Sequence, residues 1–277
     1  MEYGIHPSVL NIEQLKALLD LKDKNISRIY IDPSIAINNL DYLTTYRDKN
    51  FYLCSPYVFR QSDVTVIEDL LSKGIFKGIL VRNLETFSYL NVNYEKYEDM
   101  DLVLDCNMYI LNMDALMFYQ ENSQIELSEY YTSFELNSKE QEQLQHSIFE
   151  NGYKDILHSS VVYGRIPMMV SANCINKTLS NCVKNSGFSM LEDRYNKGFP
   201  IYSNCEFCYN VIYNCVPLSL HNYVKKLLLK GNLRLDFTNE NINETKDIVK
   251  YFLSLKDTES NPTYSEYTTG HYKRGIE

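Results

Sequence analysis

The apolar positions of this chain switch period again and again. Short apolar runs of strand type alternate with stretches whose apolar residues recur every three or four positions, as on an amphipathic helix. Strand-type runs stand at 3–6, 28–32 (RIYID), 51–54 (FYLC), 78–83 (GILVRN), 102–107 (LVLDCN), 125–128 (IELS), 155–164 (DILHSSVVYG) and 233–238 (LRLDFT). Helical periodicity follows each of the first six, at 12–21, 37–47, 63–72, 85–90, 113–120 and 138–149, and resumes at 218–230 and 243–255. In the first helix Ile12, Leu15, Leu18 and Leu19 share a face, and Asn11 is placed to cap it. In the third, Val64, Ile67, Leu70 and Leu71 point inward and Gly74 ends the run. GILV is apolar without a break, the mark of a strand buried on both sides.

Eight strand–helix units imply parallel pairing through right-handed crossovers. The expected fold is a TIM-like (β/α)8 barrel, with residues 1–255 as one domain and 256–277 as a polar tail interrupted at Pro262. An open doubly wound sheet is the competing arrangement, but no Gly-rich dinucleotide fingerprint or phosphate loop supports it. A barrel of this kind works at the carboxyl ends of its strands. That face is expected to gather His6, Asp32, Ser55, Arg60, Arg82, Asn83, Asp105, Asn107, Ser128, Tyr163, Arg165, Asp236 and Glu240.

One stretch breaks the alternation. Residues 165–217, after the seventh strand, form an insert carrying Cys174, Cys182, Cys205 and Cys208 at spacing C-x7-C-x22-C-x2-C. Connectivity puts this insert on the active face. Four thiolates suit tetrahedral zinc or an iron–sulfur cluster. A zinc ribbon ordinarily has two C-x2-C knuckles; one is present here, and the wider first spacing suits the larger cluster better. Cys54, Cys106 and Cys215 read as buried or free thiols.

Composition narrows the setting. The formal charge is −9, which disfavours broad nucleic-acid binding, and the one basic run is His271–Arg274. No stretch nears the ~18 apolar residues of a membrane span. The amino terminus lacks a signal-type apolar core, so a cytoplasmic protein is expected. In a reducing compartment seven cysteines point to metal or free thiols instead of disulfides. The 24 tyrosines suit polar clefts as well as cores.

The segments GILVRN (78–83), LVLDCNMYILN (102–112), FELN (134–137), VVYGRIPMMVSANC (161–174), LEDR (191–194), CEFCYNVIYNCVPLSL (205–220) and TTGHYKRGIE (268–277) resemble the U32 peptidase family of collagenase-like peptidases. The likeness is to the carboxyl-terminal half of its longer members. It implies a TIM-like barrel and, as in several members, a four-iron four-sulfur cluster. Cys174 matches the cysteine that closes the strand-seven motif; Cys182, Cys205 and Cys208 answer to the other ligands. The resemblance also implies oxygen-independent hydroxylation of an RNA base or a small aromatic quinone precursor, with a prephenate-like oxygen donor.

Arg82 and Arg165 are candidates to hold that donor's carboxylate, with Asp105 beside them, because guanidinium pairs bidentately with carboxylate. An ion pair of Arg165 with Glu192 or Asp193 is the structural alternative. The family's other implied activity is proteolysis. Against it, the chain shows no H-E-x-x-H and no G-x-S-x-G, and a metal closed by four cysteines leaves no position for water. A third reading is a non-catalytic partner of a second family subunit.

Overall fold

The computed structural model describes residues 3–153, 155–179, 182, 184–258 and 260–275, the side chains of 176 and 179 excepted. The chain opens with β1 (Ile5–Val9) and α1 (Ile12–Leu21), then β2 (Ile29–Ile31) with the short helices α2 (Pro33–Asn38) and α3 (Leu40–Thr44). β3 (Phe51–Cys54) leads to α4 (Val64–Ser72), β4 (Phe76–Val81) to α5 (Leu84–Val92), and β5 (Asp101–Leu104) to α6 (Met113–Asn122). β6 (Leu127–Tyr131), α7 (Ser138–Glu150) and β7 (Leu157–Gly164) follow. The insert contributes β8 (Pro167–Ser171), α8 (Ile175–Leu179), β9 (Gly187–Glu192), β10 (Gly198–Asn204) and β11 (Tyr209–Tyr213). β12 (Leu218–Ser219), α9 (Val224–Leu228), β13 (Leu233–Asp236) and α10 (Ile242–Ser254) complete the order.

Strands β1 to β7 and β13 pair in parallel and close on themselves, β13 bonding both β1 and β7. This is the expected TIM-like (β/α)8 barrel. Asparagines cap the helices that leave the strands: the side chains of Asn11, Asn83, Asn112, Asn137 and Asn241 each accept a backbone N–H of the first turn. Gly164 ends β7 at φ +135°, where a side chain would meet the Asp236 carbonyl, so only glycine lets β7 approach β13 there.

Several boundaries differ from the sequence reading. β1 runs three residues further than expected, through Pro7 and Ser8 to Val9, and so carries His6 away from the mouth into the barrel. β6 is shifted onto LSEYY, leaving Ser128 near its start. Glu129 inside that strand breaks the apolar pattern, yet it is fully buried. The single helix expected over 37–47 is two, because Asp32 caps a helix with Pro33 in its first turn. The run at 218–230 begins as β12, antiparallel to β7, before α9 starts. The tail is not loose. Ser219 and Ser138 donate to the carbonyls of Thr268 and Tyr272, Tyr264 packs on Tyr163, and Tyr272 is buried.

Between β7 and β12 lies a second sheet that the sequence reading did not anticipate. It is antiparallel, in the order β8-β11-β10-β9. Tyr202, Tyr209, Val211 and Tyr213 of its middle strands are buried against the barrel. The insert is therefore a roof over part of the mouth. Among the described residues no helix is long and apolar enough to cross a membrane.

Candidate active site at the barrel mouth

The barrel interior is polar. At its lower end Arg28 donates to Glu129 at 2.5 Å and to Tyr30 at 2.9 Å. Ser159 and Asn232 also donate to Glu129, so a carboxylate with no exposure is fully bonded. Above it His6 Nδ1 pairs with the Tyr131 hydroxyl at 2.9 Å. Burial, aided by Arg28 and Arg234, pushes the His6 pKa well below its ordinary value, so this ring is neutral.

The next layer up is charged. Arg234, 1% exposed, lies over the Tyr131 ring at 4.2 Å and donates from Nη2 to Asp105 Oδ1 at 2.7 Å. Arg82 donates from Nε to Asp105 Oδ2 at 3.0 Å. Burial pushes the Asp105 carboxyl up, but the two guanidiniums outweigh it and hold it at about 2. Asp32 and Asp236 flank this pair, both raised from the usual carboxylate value by burial. Arg234 Nε and Asp236 Oδ1 stand 2.7 Å apart without the alignment of a hydrogen bond.

Arg82 is the member that faces a cavity. Its guanidinium stacks on the Tyr57 ring at 4.6 Å. Its Nη1 is buried with no hydrogen-bond partner, 3.9 Å from Asp32 Oδ2. The cavity, about 380 Å³, lies between the loops after β3 to β6 and the underside of β8. Phe134, Tyr109, Met168 and Val170 make it apolar, with Asn107, Ser133 and Glu135 as polar points. A buried guanidinium with a free N–H at the end of an apolar pocket suits a ring-bearing carboxylate.

Asp105 and Arg82 therefore meet as the sequence suggested, but Arg165 does not join them. Arg165 lines a separate cavity of about 490 Å³ with Glu240, Glu244 and Asp247. It donates to the carbonyls of Asn214 and Cys215 and to Asn239 Oδ1, which makes it a clamp at the root of the insert; no ion pair with Glu192 or Asp193 is among its described contacts. Arg234 is the residue the sequence reading missed. It sits inside the run LRLDFT, where alternation with Leu233 and Leu235 signals an inward position, but a buried arginine looks like a solvent-facing one in sequence.

The cysteines lie on the roof. Cys205 to Cys208 form the turn between β10 and β11, with Asn204 Oδ1 accepting the Phe207 N–H and Cys208 at φ +48°. The Cys205 N–H donates to Ser186. The turn is tied to the barrel: Arg60 donates to the carbonyls of Phe207 at 2.6 Å and Cys208 at 3.3 Å. Tyr202, two residues before Asn204, pairs with Ser34, which in turn donates to Asp32. Cys174 and Cys182 come from the segment between β8 and β9. Burial raises the Cys205 thiol, Ser186 lowers it, and the thiols of Cys174, Cys182 and Cys208 raise it further.

Cys182 and Cys208 are exposed, Cys174 and Cys205 partly so, and all are free thiols. In donor chemistry the set suits a thiophilic metal or cluster. Among the described residues no three His, Cys, Asp or Glu side chains stand in ligating geometry. Cys54 and Cys106 are buried beneath the mouth, their thiols pushed up by burial, Cys54 to about 12. No protein-family model matches the chain, and no curated protein or solved structure matches it either.

Proposed function

We propose that this protein is an iron–sulfur enzyme acting at the barrel mouth, of the oxygen-independent hydroxylation type, with a prephenate-like carboxylate as oxygen donor. The observation that carries the reading is the pairing of Arg82's partnerless N–H with a thiol-bearing roof over the same mouth. Cys174, Cys182, Cys205 and Cys208 would hold a four-iron four-sulfur cluster, which supplies one-electron chemistry when bound. The chain's own residues do the rest. Arg82 pairs with the donor's carboxylate, Asp105 and Arg234 keep the guanidinium in place, and Phe134, Tyr109, Met168 and Val170 line the pocket around the ring. The acceptor would be an RNA base or a small aromatic quinone precursor.

Binding tests the pocket separately from the cluster. Prephenate titrated into the protein by calorimetry is expected to bind the wild type and to lose tenfold or more in affinity with Arg82→Met, the ~1.5–3 kcal/mol of a charge-assisted hydrogen bond. Arg165→Met is expected to bind as the wild type does. Equal loss in both variants, or none in Arg82→Met, would count against the assignment of the pocket.

A further inference from the structure

We propose that Asp32 is a proton-binding residue of the mouth: a ring-bearing carboxylate entering at Arg82 takes up a proton as it binds, and Asp32 holds that proton. The proposal rests on the reading of the Arg82 pocket given above. Charge balance in the layer beneath the mouth carries it. Two guanidiniums, Arg82 and Arg234, face three carboxylates, Asp32, Asp105 and Asp236. Asp105 accepts a hydrogen bond from each arginine, and Asp236 accepts one from Arg234. Asp32 has the weakest share. Its Oδ2 stands 3.9 Å from Arg82 Nη1, the nitrogen without a hydrogen-bond partner. A ligand carboxylate bonded to that N–H is a fourth anion set against the same two cations. It comes within about 7 Å of Asp32. Arg82 and Asp32 are both buried, so water does little to screen the repulsion. The neutral acid at Asp32 is then favoured by roughly tenfold or more.

The groups around Asp32 point the same way. On α2, Ser34 donates its backbone N–H and its hydroxyl to Oδ1, which leaves Oδ2 to carry the proton. Cys54 of β3, Tyr202 of β10, and Tyr209 and Tyr213 of β11 feel the Asp32 charge; burial raises all four, so each is neutral. Arg82, after β4, is the cation beside it, and Asp105, after β5, stays ionised between its two arginines. Burial already raises Asp32 above the usual carboxylate value, with Arg82 and Ser34 opposing. Proton and ligand therefore each strengthen the binding of the other.

Calorimetry on the full chain counts the protons. The probe is 3-phenylpropanoate, a stable ring-bearing carboxylate, titrated in buffers of different ionisation enthalpy from about pH 6 to about pH 8. The wild type is expected to take up as much as about one proton per ligand, and its affinity to weaken by up to about tenfold per pH unit as pH rises. Asp32→Asn keeps a side-chain oxygen to cap α2. It is expected to bind the probe with no proton uptake and with an affinity that is flat over the same range. Far-ultraviolet circular dichroism checks that it is folded, and the wild-type proton count tests the proposal without it. Binding that requires Arg82 but takes up no proton anywhere in the range, or an uptake unchanged in Asp32→Asn, would overturn the proposal and leave the pocket assignment standing. No binding by the wild type, or binding indifferent to Arg82→Met, would overturn both.

Discussion

Replacing Arg234 by methionine removes the cation at the centre of the barrel while keeping most of the side chain's volume. Two carboxylates depend on it. Asp105 would keep Arg82 at 3.0 Å, but Asp236 would lose its bonded guanidinium. Breaking one side of a buried pair costs about 3–5 kcal/mol, since the remaining charge stays desolvated. For a chain of this size that is a fall in Tm of about 5–10 °C.

The pH dependence gives the sign. In the wild type Asp105 is held at about 2, below its unfolded value, so its stabilisation is complete above the ordinary carboxylate range and is lost only as pH falls toward about 2. In the variant Asp236, already raised by burial, rises further. A raised carboxylate opposes folding above its unfolded pKa, and protonation relieves the penalty. The gap between wild type and Arg234→Met is therefore widest at neutral pH and narrows toward pH 4. Urea denaturation at both pH values measures it. A loss under ~1 kcal/mol at neutral pH, or a gap equal at both, would refute a charged, interdependent Arg234–Asp105–Asp236 layer.

Three further outcomes follow from local geometry. Gly164→Ala puts a methyl group against the Asp236 carbonyl at φ +135° and is expected to cost about 2 kcal/mol or more, read from the urea midpoint. His158 is buried between the Tyr130 and Thr132 hydroxyls, and burial holds it at about 3, so the unfolded chain binds its proton first. Stability is expected to fall as pH drops from 6.5 toward about 3, and His158→Gln should flatten that slope. Arg60→Ala removes two hydrogen bonds to the cysteine turn; amide exchange of residues 205–208 is expected to quicken about tenfold, with the barrel strands unchanged.

The barrel was legible because its strands are buried on both sides and read as apolar runs between capped helices. The asparagine caps and Gly74 marked the helix ends without any tertiary information. Glu129, Arg28 and Arg234 were not legible, since nothing local separates a charge aimed into a barrel from one aimed at water. Their burial depends on partners about 100 or more positions away: Arg28 to Glu129, and Arg234 to Asp105. The insert's sheet was hidden for a related reason. GFSMLE and GFPIYSN alternate weakly, and the turn CEFC between strands drew attention to its thiols and away from its hairpin. Arg82 and Asp105 were found by their place at strand ends. Arg165 stands at a strand end as well, yet its bonds go to the insert's backbone.

The claim that most needs testing is that the four thiols on the roof hold an iron–sulfur cluster. Iron, zinc and acid-labile sulfide, measured with the visible spectrum on protein purified without oxygen, address it directly. The account predicts brown protein with about four irons and four sulfides per chain. Cys174→Ser, Cys182→Ser, Cys205→Ser and Cys208→Ser are each expected to lose the cluster, while Cys54→Ala keeps it. Colourless wild-type protein carrying zinc or no metal, or iron retained in all four serine variants, would contradict it.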